Sequence, residues 1–278
     1  MAITTVDQIA DALANNNSRI VIDKASIANA AAGQIISLFR ATGQPAQAAI
    51  PTTAAIPTSA TLGAIAFTNQ TAPATSYFGQ CDVVNTNNSA MSIEFHDRVA
   101  HFGGLVLNVT TAQTITGLDL NTLGLAAERR GDANFSDLQW FLSVYADGGA
   151  TASNATINVT YNNGTTGNLN TVAVGGTLRA GREIPLTPLI PTAQQGLFIR
   201  GINSVTLSAS TTVAGNFGFT CRRQRFFSPM LVASIVQKNS WIDTGLAGVP
   251  NDACLEMLVV CSTTSTGAIR GQGKIIHG

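Results

Sequence analysis

Ser92-Ile93-Glu94-Phe95-His96-Asp97-Arg98-Val99-Ala100-His101-Phe102-Gly103-Gly104-Leu105-Val106-Leu107-Asn108-Val109 holds two of the chain's three histidines and its densest mix of acid, base and imidazole. Residues 92–95 and 105–109 carry strand-forming side chains on either side of a polar segment. Gly103 and Gly104 permit a turn or a close backbone approach, Asp97 and Arg98 can pair locally, and His101 can bond backbone at a strand break. The stretch therefore predicts a structural corner made of Asp97, Arg98, His101, Gly103 and Gly104. One strand ends there and the next begins.

The same residues make a poor reaction centre. His96 and His101 are five apart, so on a strand they point to opposite faces, whereas two ligands on one strand should be two or four apart. Glu94 with Asp97, or Asp132 with Asp137, could serve as paired carboxylates, but nothing in the pattern singles them out. No Gly-x-Ser-x-Gly occurs, and Gly267 to Ile275 has the wrong glycine spacing for a phosphate loop, with Ile275 where a hydroxyl is needed. The sequence thus assigns no catalytic, cofactor-binding or metal-binding residue.

Composition points the same way. Of 278 residues only 11% are charged, and 15 bases balance 15 acids. That is well under the ~25% of ordinary globular proteins, so self-repulsion does little to keep copies apart. A neutral chain also argues against nucleic acid, which needs clustered cations. The one tight basic cluster is Arg222-Arg223-Gln224-Arg225, read as a solvated strand end; Arg222, Arg223 and Arg225 are its candidate interface residues for a phosphate or an acidic neighbour. No apolar run is long enough for a membrane helix, and the first residues resemble no secretory signal. Cys81, Cys221, Cys254 and Cys261 form no C-x-x-C pair and read as buried thiols of a protein made in a reducing cytoplasm.

Along the chain, Val6, Ile9, Ala10 and Leu13 predict a short helix over residues 5–16. A second is expected from Asp23 or Ser26 to Gly43, with Ile27, Ala31, Ile35, Leu38 and Phe39 on one face. Residues 44–75, with Pro45, Pro51, Pro57 and Pro73 and essentially no charge, read as an ordered extended linker. From Tyr77 onward the pattern is strand after strand. Residues 138–145 are the most apolar, and Trp140 is expected to be buried. Ile157, Val159 and Tyr161 alternate with polar residues and meet the hairpin signal Asn163-Gly164, after which Val172 and Val174 return. Later strands are expected at 182–186, 197–202, 204–210, 217–221, 231–236, 254–261 and 273–276. Such spacing predicts a mainly β chain: a jelly-roll-like antiparallel β-sandwich at 76–278, preceded at 1–75 by an arm of two short helices and an extended linker.

The run Asp97-Arg98-Val99-Ala100-His101-Phe102-Gly103-Gly104-Leu105, followed by Val109-Thr110-Thr111-Ala112-Gln113-Thr114, resembles a recurring pattern in virion structural proteins of tailed bacteriophages. Residues 150–157 leading into 161–165, residues 201–210, and Asp252-Ala253-Cys254-Leu255 are similar as well. Phe95 and His96 depart from the aromatic-rich, charged lead-in strand of that pattern. The resemblance implies a non-enzymatic capsid decoration or cement subunit, or else a neck or tail component. Its implied partners are further copies of itself, with a trimer expected, and the major capsid protein or other virion proteins. Its implied location is the virion, assembled in the host cytoplasm. The arm would clamp a neighbour, each copy adding a modest contact that multiplies over the particle. Removal of residues 1–75 would leave a folded β-domain. Two other classes stay in view: a module binding a host or glycan ligand, which an exposed tryptophan beside a cleft would favour, and an enzyme centred on Glu94, Asp97 and His101.

Overall fold

The computed structural model describes residues 2–28, 30–87, 90–176, 178–230 and 234–278. Helix α1 (Val6–Asn15) precedes strands β1 (Asn17–Lys24), β2 (Ile35–Ser37) and β3 (Gly43–Gln44). After the linker come β4 (Ser76–Asn85), β5 (Met91–Leu105) and β6 (Gln113–Thr114), then short helices α2 (Leu120–Leu123) and α3 (Ala127–Arg130). The next strands are β7 (Gln139–Ala146), β8 (Asn154–Tyr161), β9 (Thr166–Asn168), β10 (Val172–Ala173) and β11 (Arg182–Pro185). The last are β12 (Ile199–Leu207), β13 (Asn216–Met230), β14 (Gln237–Asn239), β15 (Gly248–Val249), β16 (Leu255–Val260) and β17 (Ile269–His277). The chain is mainly β and its sheets are antiparallel, as expected. Among the described residues, no helix is long and apolar enough to cross a membrane.

Two compact units divide it: Met1–Ala49 with Thr58–Asp97 and Gln224–Gly278, and Ile50–Pro57 with Arg98–Arg223. The chain passes between them at the Ala49-Ile50 and Pro57-Thr58 peptides of the linker and inside the Asp97-Arg98 peptide of β5 and the Arg223-Gln224 peptide of β13. In the first unit a sheet runs in the order β14-β4-β17-β1-β3, and β15 also pairs with β4. Strand β16 pairs there with β2 on one side and residues 92–97 of β5 on the other. The core between holds Ile20, Ile22, Phe78, Ile93, Phe95, Phe226, Leu255 and Ile275, with the Phe95 and Phe226 rings stacked at 5.6 Å. In the second unit β10-β8-β12-β6 form one sheet, and β7 lies between β11 and β13. Trp140, Leu142 and Val144 of β7 pack there with Ile157, Val159, Phe217 and Phe219.

Helix α1 forms where expected. Thr5 accepts from the Gln8 amide while the Gln8 side chain accepts from the Thr5 amide, a reciprocal cap. The expected second helix does not form. Residues 17–24 bury Ile20, Ile22 and Lys24 alternately, and all eight residues of β1 pair with β17. Within the expected span, Ile35–Ser37 form β2 against β16 and bury Ile36, and Leu38 and Phe39 are buried directly after it, because a β-branched pair packs better in a sheet than in a helix with one covered face. The strand expected at 105–109 is corrected too: β5 ends at Leu105, and residues 91–105 form one strand through the expected break. Around the Asn163-Gly164 turn, β8 meets β9 first, and β10 then pairs with the start of β8 through Val172 and Ala155. Arg222 to Arg225 lie within β13 rather than at a strand end. Of the strand expected at 231–236, residues 231–233 lie outside the described residues.

The linker is tied along its own chain. In the second unit Ala55 and His101 exchange both backbone hydrogen bonds, at 3.1 and 3.0 Å. In the first, the Ile65 amide donates to the Leu255 carbonyl at 2.8 Å, and Asn69 and Gln70 bond Asp252 and Asn251.

Candidate functional site

Burial along β5 alternates from Met91 to Phe95 and then becomes continuous through Ala100. A strand covered on both faces must bury whatever polar groups it carries, and here those are His96, Asp97 and Arg98. Each therefore needs a partner.

In the first unit, Glu94 and His96 sit two apart on one face, with Glu94 Oε2 2.7 Å from His96 Nε2. His96 lies opposite Glu256 of β16, whose carboxylate accepts from Ser37 Oγ at 2.9 Å. Asp97 is fully buried; its Oδ1 accepts the Cys254 amide at 3.0 Å and its Oδ2 faces Arg225 Nη2 at 3.2 Å. Lys24 is buried near the same strands, donating from Nζ to the carbonyls of Ala41 and Pro45. Burial pushes its ammonium down to about 8 from an ordinary 10.5, partly opposed by the Glu256 carboxylate.

In the second unit Arg98 begins a chain of polar contacts. Its Nε donates to His101 Nδ1 at 3.2 Å, and its Nη2 donates to Tyr145 Oη at 2.9 Å and Thr220 Oγ1 at 3.0 Å. Ser143 Oγ lies 2.7 Å from Thr220 Oγ1 and donates to Glu183 Oε2 at 2.6 Å. Glu183 in turn accepts both Nη groups of Arg222, at 2.9 and 2.8 Å, and Arg222 lies over the Phe141 ring at 4.8 Å. Strand geometry explains the alignment. Trp140, Leu142 and Val144 occupy one face of β7, so Phe141, Ser143 and Tyr145 fall on the other. Arg129 completes the set by donating to the carbonyls of Pro57 and Arg98, both at 2.9 Å.

The five motif residues are thus distributed rather than gathered. Asp97 belongs to the first unit; Arg98, His101, Gly103 and Gly104 belong to the second. Gly104 has φ of 86°, one residue before the strand ends. At Gly103 an added Cβ would run into the Pro51 carbonyl oxygen and the Tyr145 ring. Of the three candidate interface arginines, Arg222 is buried on Glu183 because its bidentate partner lies across the strands. Arg223 is partly exposed and holds Asp137 at 2.8 Å, and Arg225 is held by Asp97. Among the described residues, no three His, Cys, Asp or Glu side chains are grouped to hold a metal ion.

Two features escaped the sequence. His277 bridges Ser18 Oγ (Nε2, 2.8 Å) and Ser76 Oγ (Nδ1, 2.9 Å), clipping three neighbouring strands, and burial pushes its imidazole down. The Glu183 chain is the other. Its partners are scattered from residue 98 to 222, so no local spacing announces it, although Ser143 inside the most apolar strand was a signal that a buried hydroxyl needs a partner.

The fold and these contacts define a mainly β protein whose most polar stretch forms an internal framework. No protein-family model matches the chain, and no curated protein does. Among solved structures it is similar to T=1 particles derived from infectious bursal virus, at 10% identity over 97% of this chain and 82% of that one, with a TM-score of 0.18. It is also similar to the infectious bursal disease virus Gt strain (11%, 95% and 81%, TM-score 0.18) and to a VP2 subviral particle of that virus (12%, 99% and 82%, TM-score 0.16). Likenesses at this level carry no argument about fold or function.

Proposed function

We propose that the chain is a non-enzymatic structural subunit of a tailed-phage virion, acting as a capsid decoration or cement protein. One observation carries this reading. Asp97 and Arg98, at the centre of the stretch that resembles a pattern in virion structural proteins, are 0% and 1% exposed and held by neighbouring strands. Residues placed in that way maintain a shape and leave nothing for a substrate to meet. The neutral, charge-poor surface supports it, because such a surface associates readily with copies and partners.

The arm idea changes in this reading. Residues 44–75 bond their own chain, so contact with a neighbouring subunit falls to exposed sheet faces and loops. Purified particles provide the test. The protein should copurify with virions through a density gradient at a fixed ratio to the major capsid protein, and imaging should find it on the head. Its absence from gradient-purified particles, with abundant protein in the lysate, would sink the proposal. A neck or tail location would show in the same images as density confined to one vertex.

A further inference from the structure

The outer face of the first unit's sheet carries an unusual row. Arg19 of β1 lies directly opposite Lys274 of β17, which lies opposite Gln80 of β4. Like charges set directly across a ladder destabilise it, and they stand about 5 Å apart along the row. Neither cation has a carboxylate within 4.0 Å among the described residues. Lys274 donates one hydrogen bond to the Leu13 carbonyl, and Arg19 reaches only the Gln272 amide at 3.4 Å. Most of their eight donors are therefore open to a ligand. The groove lined by Arg19, Gln80, Gln272 and Lys274 has a volume of about 230 Å³.

A second groove of about 210 Å³ adjoins it and shares Gln80. Half-buried Trp241 lines it together with Lys238 and Asp82, which lie opposite each other on β14 and β4, and Asp82 accepts from Gln80 Nε2 at 2.9 Å. An aromatic plane beside an amide and a carboxylate suits a pyranose: its C–H face lies on the indole while adjacent hydroxyls donate to Asp82 and accept from Gln80. A carboxylate on that sugar, or on the next one, would meet the Arg19 fork and the Lys274 ammonium.

We propose that these adjoining grooves form one binding site for an acidic saccharide, with Trp241, Gln80 and Asp82 taking the ring and Arg19 and Lys274 taking its carboxylate. An acidic peptide fits less well, because its acidic side chains offer no ring face to cover the Trp241 indole. The site is separate from the buried framework and adds ligand recognition to a structural role.

Calorimetric titration of the full chain with sialyllactose and with a galacturonate trisaccharide tests it, using lactose as the uncharged control and hexaglutamate as the peptide probe. At least one acidic sugar should bind, about tenfold more tightly than lactose, a difference that falls as salt is added. Trp241→Ala and the exposed-face variant Arg19→Gln should each weaken binding by about tenfold or more. If Trp241→Ala misfolds, Arg19→Gln with Lys274→Gln decides alone. No binding by either acidic sugar, unchanged binding in the charge variants, or displacement of the sugar by hexaglutamate overturns the proposal.

Discussion

Arg222 and Glu183 form a two-point ion pair, Nη1 to Oε2 at 2.9 Å and Nη2 to Oε1 at 2.8 Å, with both side chains at 3% exposure or less. Desolvating two charges costs several kcal/mol each, and only close geometry with further hydrogen bonds offsets it. Ser143 and the Phe141 ring supply those further contacts. Glu183→Ala should therefore cost about 3–5 kcal/mol, because it leaves the Arg222 charge buried without its carboxylate. The double variant Glu183→Leu with Arg222→Met should recover most of that loss. Urea denaturation midpoints of the three proteins check both statements, and a double variant as unstable as Glu183→Ala would contradict the pairing.

Asp97 holds the Cys254 amide and Arg225 at once. Asp97→Asn keeps one acceptor and the shape, whereas Asp97→Ala removes both contacts from a buried site. The alanine variant should lose about 2–4 kcal/mol and the asparagine variant clearly less. Thermal melts of the two variants side by side give the comparison.

The two adjacent glycines of the motif should respond differently. Gly103→Ala forces a Cβ against the Pro51 carbonyl and the Tyr145 ring, an overpacking cost of about 1–3 kcal/mol. Gly104→Ala meets nothing closer than 4.0 Å but must hold φ of 86°, which costs about 1–2 kcal/mol. Gly104→Asn should recover part of that loss, since asparagine tolerates the left-handed region, and Gly103→Asn should recover none. Denaturation curves of the four variants decide it.

Lys24 makes a pH prediction with a defined sign. Its ammonium titrates near 8 in the folded chain and near 10.5 when unfolded, so between those values the unfolded chain binds more protons and stability rises with pH. The burial penalty is fully present below pH 8 and gone above 10.5. Cys81 and Cys261 oppose it, because burial raises their thiols from 9.0 to about 12 and about 11, so stability falls as pH climbs past 9. Subtracting the Lys24→Met stability profile from that of the natural chain isolates the lysine. The natural-minus-variant difference should rise between pH 8 and 10.5, and a flat difference would remove the assignment.

Deleting residues 1–75 should now unfold the first unit, against the expectation of a surviving β-domain. The deletion removes β1, which pairs with β17 along its whole length, and with it Ile20 and Ile22 from the core. Limited proteolysis of the truncated protein should show rapid loss of residues 224–278, and a protease-resistant C-terminal segment would refute this.

Much was legible because it was local. Helix α1 needs only the spacing of Val6, Ile9, Ala10 and Leu13, the turn at Asn163-Gly164 needs only its own backbone, and β7 announces itself through Trp140, Leu142 and Val144. Residues 27–39 misled because a helical spacing of Ile27, Ala31 and Ile35 coexists with the β-branched pair Ile35-Ile36, which a sheet uses better. Pattern alone does not say which surface will be available to cover a face.

The sequence by itself determined the mainly β class, the strand positions of strong alternation and the burial of Trp140, since those follow from side-chain periodicity and turn chemistry. Only the tertiary structure decided what the polar stretch at residues 92–109 does. Whether Asp97, Arg98 and Arg222 stand at a surface or inside depends on Arg225, Thr220 and Glu183, which reach them from distant strands. A buried charge survives only where such a partner is delivered within about 3 Å, and that delivery is a property of the folded chain.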